Sequence, residues 1–124
     1  MKIKIDAADK VFSQYIRLRD MECKRCHSKV KLNDKGLPIS HQNSHYFGRG
    51  KESTRFNENN CDCLCFSCHK IWGSEEKEEY RDFKIKQLGI DGFNRLKALA
   101  HLTVKKDRKF QLLRAKELLK TVLK

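Results

Sequence analysis

Asn60-Cys61-Asp62-Cys63-Leu64-Cys65-Phe66-Ser67-Cys68-His69 compresses a strand, a metal knuckle and a helix start into one stretch. Residues 60–65 alternate as a strand does, Cys65-Phe66-Ser67-Cys68 sets two sulfurs on one tight turn, and a helix is predicted to begin over Cys68 to Trp72. Upstream, Cys23-Lys24-Arg25-Cys26 repeats the knuckle. Two such turns supply the four sulfurs of a tetrahedral zinc site, predicted to hold the fold and do no chemistry. The knuckles stand further apart than in the commonest zinc ribbon, so the chain between them must loop out and return. Cys61 and Cys63 share one side of the presumed strand with Cys65. They read as buried small apolar residues, because alternate strand positions do not form a chelating turn.

Outward from this stretch the pattern is mainly helical. A short extended start precedes a helix with Val11, Phe12, Tyr15, Ile16 and Leu18 at helical spacing and Asp9 as its expected cap, Arg17 and Arg19 adding charge to its polar face. From Cys23 to about Asn60, loops and short strands are expected, with Asn33-Asp34-Lys35-Gly36 as a turn signal. Ser74 and the acidic residues after it predict a capped helix over Glu75 to Leu88. Gly89 and Gly92 bracket a break before a short helix carrying Phe93, Leu96, Leu99 and Ala100. Residues 105–123 form a basic amphipathic helix with Leu112, Ala115, Leu119 and Val122 on its apolar stripe, to be covered by this domain or by a partner's equivalent helix. The expected architecture is α+β, with segments 1–22, 23–90 and 91–124 in one compact unit.

Across 124 residues, 28 basic against 16 acidic side chains leave +12. Four zinc thiolates remove four charges and the ion restores two, so about +10 remains. That surplus attracts polyanions, and DNA or RNA is the expected partner. With 39% hydrophobic residues against 35% charged, the core is small and benefits from a metal staple. No leader-like start or membrane-spanning run is read, so a cytoplasmic location is expected, where paired cysteines ligate metal in preference to forming disulfides.

Between and after the knuckles fall His45, Asn60 and His69, the residue order of a ββα-metal (HNH) nuclease site. Phosphodiester hydrolysis needs a base for water and a cation for charge on the phosphoryl and leaving oxygens. A neutral imidazole suits the first task, which falls to His45. Asn60 would hold the ring or its surrounding loop, and His69 would ligate a catalytic Mg²⁺ or Mn²⁺ distinct from the zinc. His41 is the candidate second ligand, since alternation puts it on the face of His45, while many HNH sites place that ligand at the position Ser44 occupies.

Ser44-His45-Tyr46-Phe47-Gly48-Arg49-Gly50, Ser53-Thr54-Arg55-Phe56-Asn57-Glu58-Asn59-Asn60-Cys61 and Leu64-Cys65-Phe66-Ser67-Cys68-His69 resemble the NinG/Rap family of phage recombination nucleases. Residues 9–20 resemble that family's opening helix and Tyr80 to Gly89 its helix after the knuckle, so the resemblance spans most of the chain. It implies a structure-specific endonuclease acting on branched DNA, such as Holliday junctions or D-loops, in phage or prophage recombination, hence in the bacterial host cytoplasm. The chain departs from the pattern at Gln42-Asn43-Ser44, where relatives often carry an acid before the base histidine, and at Cys68-His69, where several have Cys-Asn.

For DNA contact the candidates are Arg49, Lys51 and Arg55 in the loop after His45, and Lys105, Lys106, Arg108 and Lys109 near the C-terminus. The stretch His101 to Lys124 carries eight Lys or Arg against Asp107 and Glu117. A homodimer would suit a four-way junction, which needs paired cuts. A non-catalytic zinc-dependent DNA-binding recombination accessory protein is the alternative function. Cys23-Lys24-Arg25-Cys26-His27 and Cys65-Phe66-Ser67-Cys68-His69 also satisfy the haem-attachment pattern C-x-x-C-H, against which stand the absent export signal and the His45 and Asn60 spacing.

Overall fold

The computed structural model describes residues 3–123; Met1, Lys2 and Lys124, which the extended start and the C-terminal charge count include, lie outside them. The first helix, α1, runs over Ala7–Asp20 and is capped by Asp6, one turn ahead of the expected Asp9. Asp9 is the reciprocal partner: Asp6 Oδ1 accepts from Asp9 N at 3.1 Å and Asp9 Oδ2 accepts from Asp6 N at 3.0 Å. Such a capping box satisfies amides that the first helical turn leaves without acceptors. Met21, at φ 60°, ends the helix in the left-handed region.

Strands β1 (Gln42–His45) and β2 (Cys61–Leu64) pair antiparallel, with Asn43 opposite Cys63, Ser44 opposite Asp62 and His45 opposite Cys61. All four β2 residues are buried, because helices cover both faces of this ribbon. On one face Cys61 joins Ala8, Phe12, Tyr15 and Ile16 of α1. On the other, Leu64 packs with Cys23, Cys68, Trp72 and Tyr80. Arginines of α1 tie the ribbon down: Arg19 donates to Cys61 O at 2.7 Å and Glu58 O at 2.9 Å, and Arg17 to Ser40 O at 3.2 Å.

Between the strands lies a single-turn helix, α2 (Glu52–Arg55). After β2 the chain enters α3 (Phe66–Lys70), a π-helical turn over Ile71–Glu75, and α4 (Lys77–Ala100), which Gly89 breaks at φ 75° and ψ 161°. The α4 start differs from the expected cap at Ser74, whose hydroxyl donates back to Lys70 O at 2.9 Å inside the π turn. Gly92 sits within helix, so the break is at Gly89 alone.

The last helix, α5 (Arg108–Val122), is capped by Asp107, whose carboxylate accepts from Phe110 N at 3.0 Å. Its stripe of Leu112, Ala115, Leu118, Leu119 and Val122 packs against the Phe12, Tyr15 and Ile16 cluster of α1. The apolar face is thus covered within the chain. Architecture is mainly helical with one small sheet, and no helix among the described residues is long and apolar enough to cross a membrane.

Candidate metal centre and the adjoining cavity

The sulfurs of Cys23, Cys26, Cys65 and Cys68 all lie within 4.8 Å of one another, with Cys26 and Cys65 at 3.7 Å. A tetrahedral ion with metal–sulfur bonds of about 2.3 Å spaces its sulfurs by about 3.8 Å, so this cluster is arranged to hold one ion. Cys65 leaves the strand and becomes the residue capping α3, at φ −70° and ψ 166°. That bend takes its sulfur out of line with Cys61 and Cys63 and turns it to the other knuckle. The first knuckle is fastened to β2 through Lys24 N, which donates to Cys63 O at 2.9 Å. Cys61 and Cys63 are fully buried outside the cluster; burial pushes both thiols up to about 12, leaving them protonated and unreactive.

Around the sulfurs, Arg25 donates toward Cys68 Sγ at 3.6 Å and pairs with Glu79 at 2.7 Å. Glu79 also accepts from Trp72 Nε1 at 2.9 Å. A short chain of contacts therefore runs from the cluster to the wall of a neighbouring cavity, because Trp72 lines a space of about 380 Å³.

His45, from the end of β1, and His69, from α3, both line that cavity, with Ser44, Gly48, Lys77 and Tyr80. His45 Nε2 lies 3.0 Å from Arg55 O. A carbonyl only accepts, so Nε2 carries the proton and Nδ1 keeps its lone pair. Burial, reinforced by the charge of Arg49, pushes the His45 ring down to about 4. The same two causes lower His69. Both rings are neutral near pH 7.

Asn60 is fully buried, and its role in this geometry is positional. Its Oδ1 accepts from Phe47 N at 2.8 Å, while Nδ2 donates to Phe47 O at 2.9 Å and Thr54 O at 3.0 Å. It clamps the loop between the strands at both ends and fixes the peptide next to Arg55 O, which orients His45. Contact with a substrate is closed to it.

Three sequence expectations are corrected here. His41 does not reach the cavity: at φ 68° it breaks the alternation just before β1, and its ring is held by Ser28 Oγ at 3.1 Å and Ser40 Oγ at 2.8 Å. Arg55 is buried rather than free for DNA, and donates to both Asp9 oxygens at 2.8 and 2.6 Å and to Lys4 O at 2.8 Å. Arg108 is occupied by both Glu52 oxygens, at 2.9 and 2.7 Å, and by Asp6. By contrast Lys51, Lys105, Lys106 and Lys109 are exposed. Arg49 has no acidic partner among the described residues, and its Nε is buried without an acceptor.

Lys77, Trp72 and Tyr80 are cavity residues that periodicity did not single out. The available signal was Lys77 as the lone base in Glu75-Glu76-Lys77-Glu78-Glu79. Ser44 is tied to Tyr80 Oη at 3.2 Å, and that hydroxyl lies 2.9 Å from Asp62 Oδ2, whose charge is met by the buried Lys84 at 3.0 Å.

No family model matches this chain, and neither a curated protein nor a solved structure gives a significant match to it.

Proposed function

We propose that this chain is a DNA endonuclease of the HNH type, requiring a divalent cation and acting on branched recombination intermediates such as Holliday junctions or D-loops. One observation carries the proposal: two imidazoles from different elements, His45 and His69, line a single cavity beside a four-sulfur cluster. The cluster would hold structural zinc, pinning the junction of β2 and α3 from which His69 projects. The preference for branched DNA, and membership of the NinG/Rap family, rest on the sequence resemblance.

In this mechanism His45 Nδ1 takes the proton of the attacking water while Nε2 stays anchored on Arg55 O. Asn60 positions, through the Thr54–Arg55 backbone, and does not touch the reacting atoms. His69 would be the residue to hold a Mg²⁺ or Mn²⁺ in this cavity, and such an ion would supply charge neutralisation for the phosphoryl and leaving oxygens. The residues present do not make a site for such an ion by themselves. Among the described residues, His69 is the one lining side chain left to ligate a metal once His45 serves as base, and no carboxylate of theirs lines the cavity. Hard cations of this class take oxygen ligands.

The same absence of an acid favours a second reading, a non-catalytic zinc-dependent DNA-binding accessory protein. His45→Ala separates the two. It is expected to reduce Mg²⁺- or Mn²⁺-dependent cleavage of a four-way junction by at least about 10²-fold, with zinc content and junction affinity unchanged. Wild-type protein that binds the junction and never cuts it with either ion establishes the accessory role instead.

A further inference from the structure

We infer that the cavity between α2 and the start of α5 receives one unpaired nucleobase of a bound DNA strand, stacked on Phe110 and met at its polar edge by Ser53 and Gln111. The inference rests on the proposed DNA partnership and not on cleavage. This cavity, of about 660 Å³, shares no lining residue with the one between His45 and His69. Two polar atoms of its lining side chains, Ser53 Oγ and Gln111 Oε1, are buried without a hydrogen-bond partner. Buried polar groups are almost always paired, and a ligand able to bond these two removes the cost of leaving them unmade.

The walls select the class of ligand. Arg19, Arg114, Glu52 and Glu58 bring two charges of each sign, and all four are answered within the protein. Arg114 pairs with Glu58 at 3.3 Å, Arg108 takes both Glu52 oxygens, and Arg19 pairs with Asp20 at 2.9 Å. With no lining charge left over among the described residues, the occupant is neutral and polar rather than a phosphate or a metal ion. Gln111 Oε1 accepts, and the Ser53 hydroxyl donates or accepts, which suits an edge carrying N–H groups and lone pairs. Phe110 lines the same cavity yet is 55% exposed, whereas Phe56 is buried with Arg108 over its ring at 5.2 Å. The open aromatic face is therefore that of Phe110. A planar heterocycle with hydrogen-bonding edges meets both demands, provided that it is not already stacked and paired in a duplex. Glu52 also lines the adjoining cavity, where Lys4, Arg49 and Lys106 stand. Cations beside a neutral pocket place phosphates outside and the base inside, which favours a strand over a free nucleotide.

The zinc-loaded full chain is titrated, without Mg²⁺ or Mn²⁺ so that nothing is cut, with a single-stranded oligothymidylate of about five nucleotides. Its binding is expected to shift the Phe110 ring and the Gln111 side-chain amide saturably in NMR spectra. Phe110→Ala is expected to weaken that binding about 10-fold, and Gln111→Ala about 3-fold. Affinity of Phe110→Ala for a blunt paired duplex, and its melting temperature, are expected to stay in place, because the ring lies outside the cluster joining α1 to α5. A strand of the same length made of abasic sugars should bind wild type and Phe110→Ala alike. Thymidine monophosphate should bind at least about 10-fold more weakly than the strand, and equal affinity would give the cavity to free nucleotides and overturn the inference. Unmoved Phe110 and Gln111 resonances, or a Phe110→Ala loss that is the same for strand and duplex, overturn it too. Strand binding that depends on Phe110 without junction cleavage removes the nuclease reading alone. Cleavage by wild type, with unaltered strand affinity in Phe110→Ala, removes the base site alone.

Discussion

His45 and Arg55 show how one backbone atom serves two purposes. Arg55 O accepts a hydrogen bond from His45 Nε2–H, while the Arg55 side chain is buried against Asp9. Burial alone would raise the Asp9 carboxyl, but the Arg55 hydrogen bonds and charge outweigh it and hold the carboxyl below its usual range. Stability from this pair is therefore present above the unfolded carboxylate pKa and is lost as pH falls through the lowered one. Arg55→Ala leaves the buried Asp9 carboxylate without its two-pronged partner, with Arg108 Nη1 only at 3.8 Å, and is expected to cost about 3–5 kcal/mol in urea unfolding. If Arg55 served DNA instead, the variant would lose affinity at unchanged stability.

Among the elements, the ribbon and its following helix depend on the sulfur cluster, since β2 is only four residues long and a two-stranded sheet is marginal alone. Stripping metal with a strong chelator under reducing conditions is expected to abolish the cooperative melting transition. Ion binding of about 10 kcal/mol is comparable to the whole stability of a small domain. An unchanged calorimetric melt after verified metal loss would contradict that dependence. At Gly89 the helix turns in a backbone region that side chains avoid, yet a methyl there would meet no atom within 4 Å. Gly89→Ala is accordingly expected to cost about 1–3 kcal/mol through backbone strain alone, measured by denaturation.

For the molecule as a whole, α1 is shared: one side of the chain's first helix covers the ribbon and another receives α5. Arg108 reinforces this closure by joining the start of α5 to Asp6 and Glu52. The free basic side chains lie just beside it at Lys105, Lys106 and Lys109. Replacing all three with Gln is expected to lower the slope of log K against log salt for DNA by about 2–3 while leaving the melting temperature in place. An unaltered slope in a salt titration would remove them from the interface. Locally encoded features were legible in the chain itself: two knuckles, a strand between turns, helices at their periodicity, and His45 and His69 in register with the second knuckle. Spacing along a few residues determines each of these. Tertiary packing alone decided that Arg55 pairs with Asp9, 46 residues away, that His41 turns aside, and that Lys77, Trp72 and Tyr80 wall the cavity. A basic side chain reads alike in sequence whether it meets water or a buried carboxylate, because its partner is chosen by the fold and not by its neighbours in the chain.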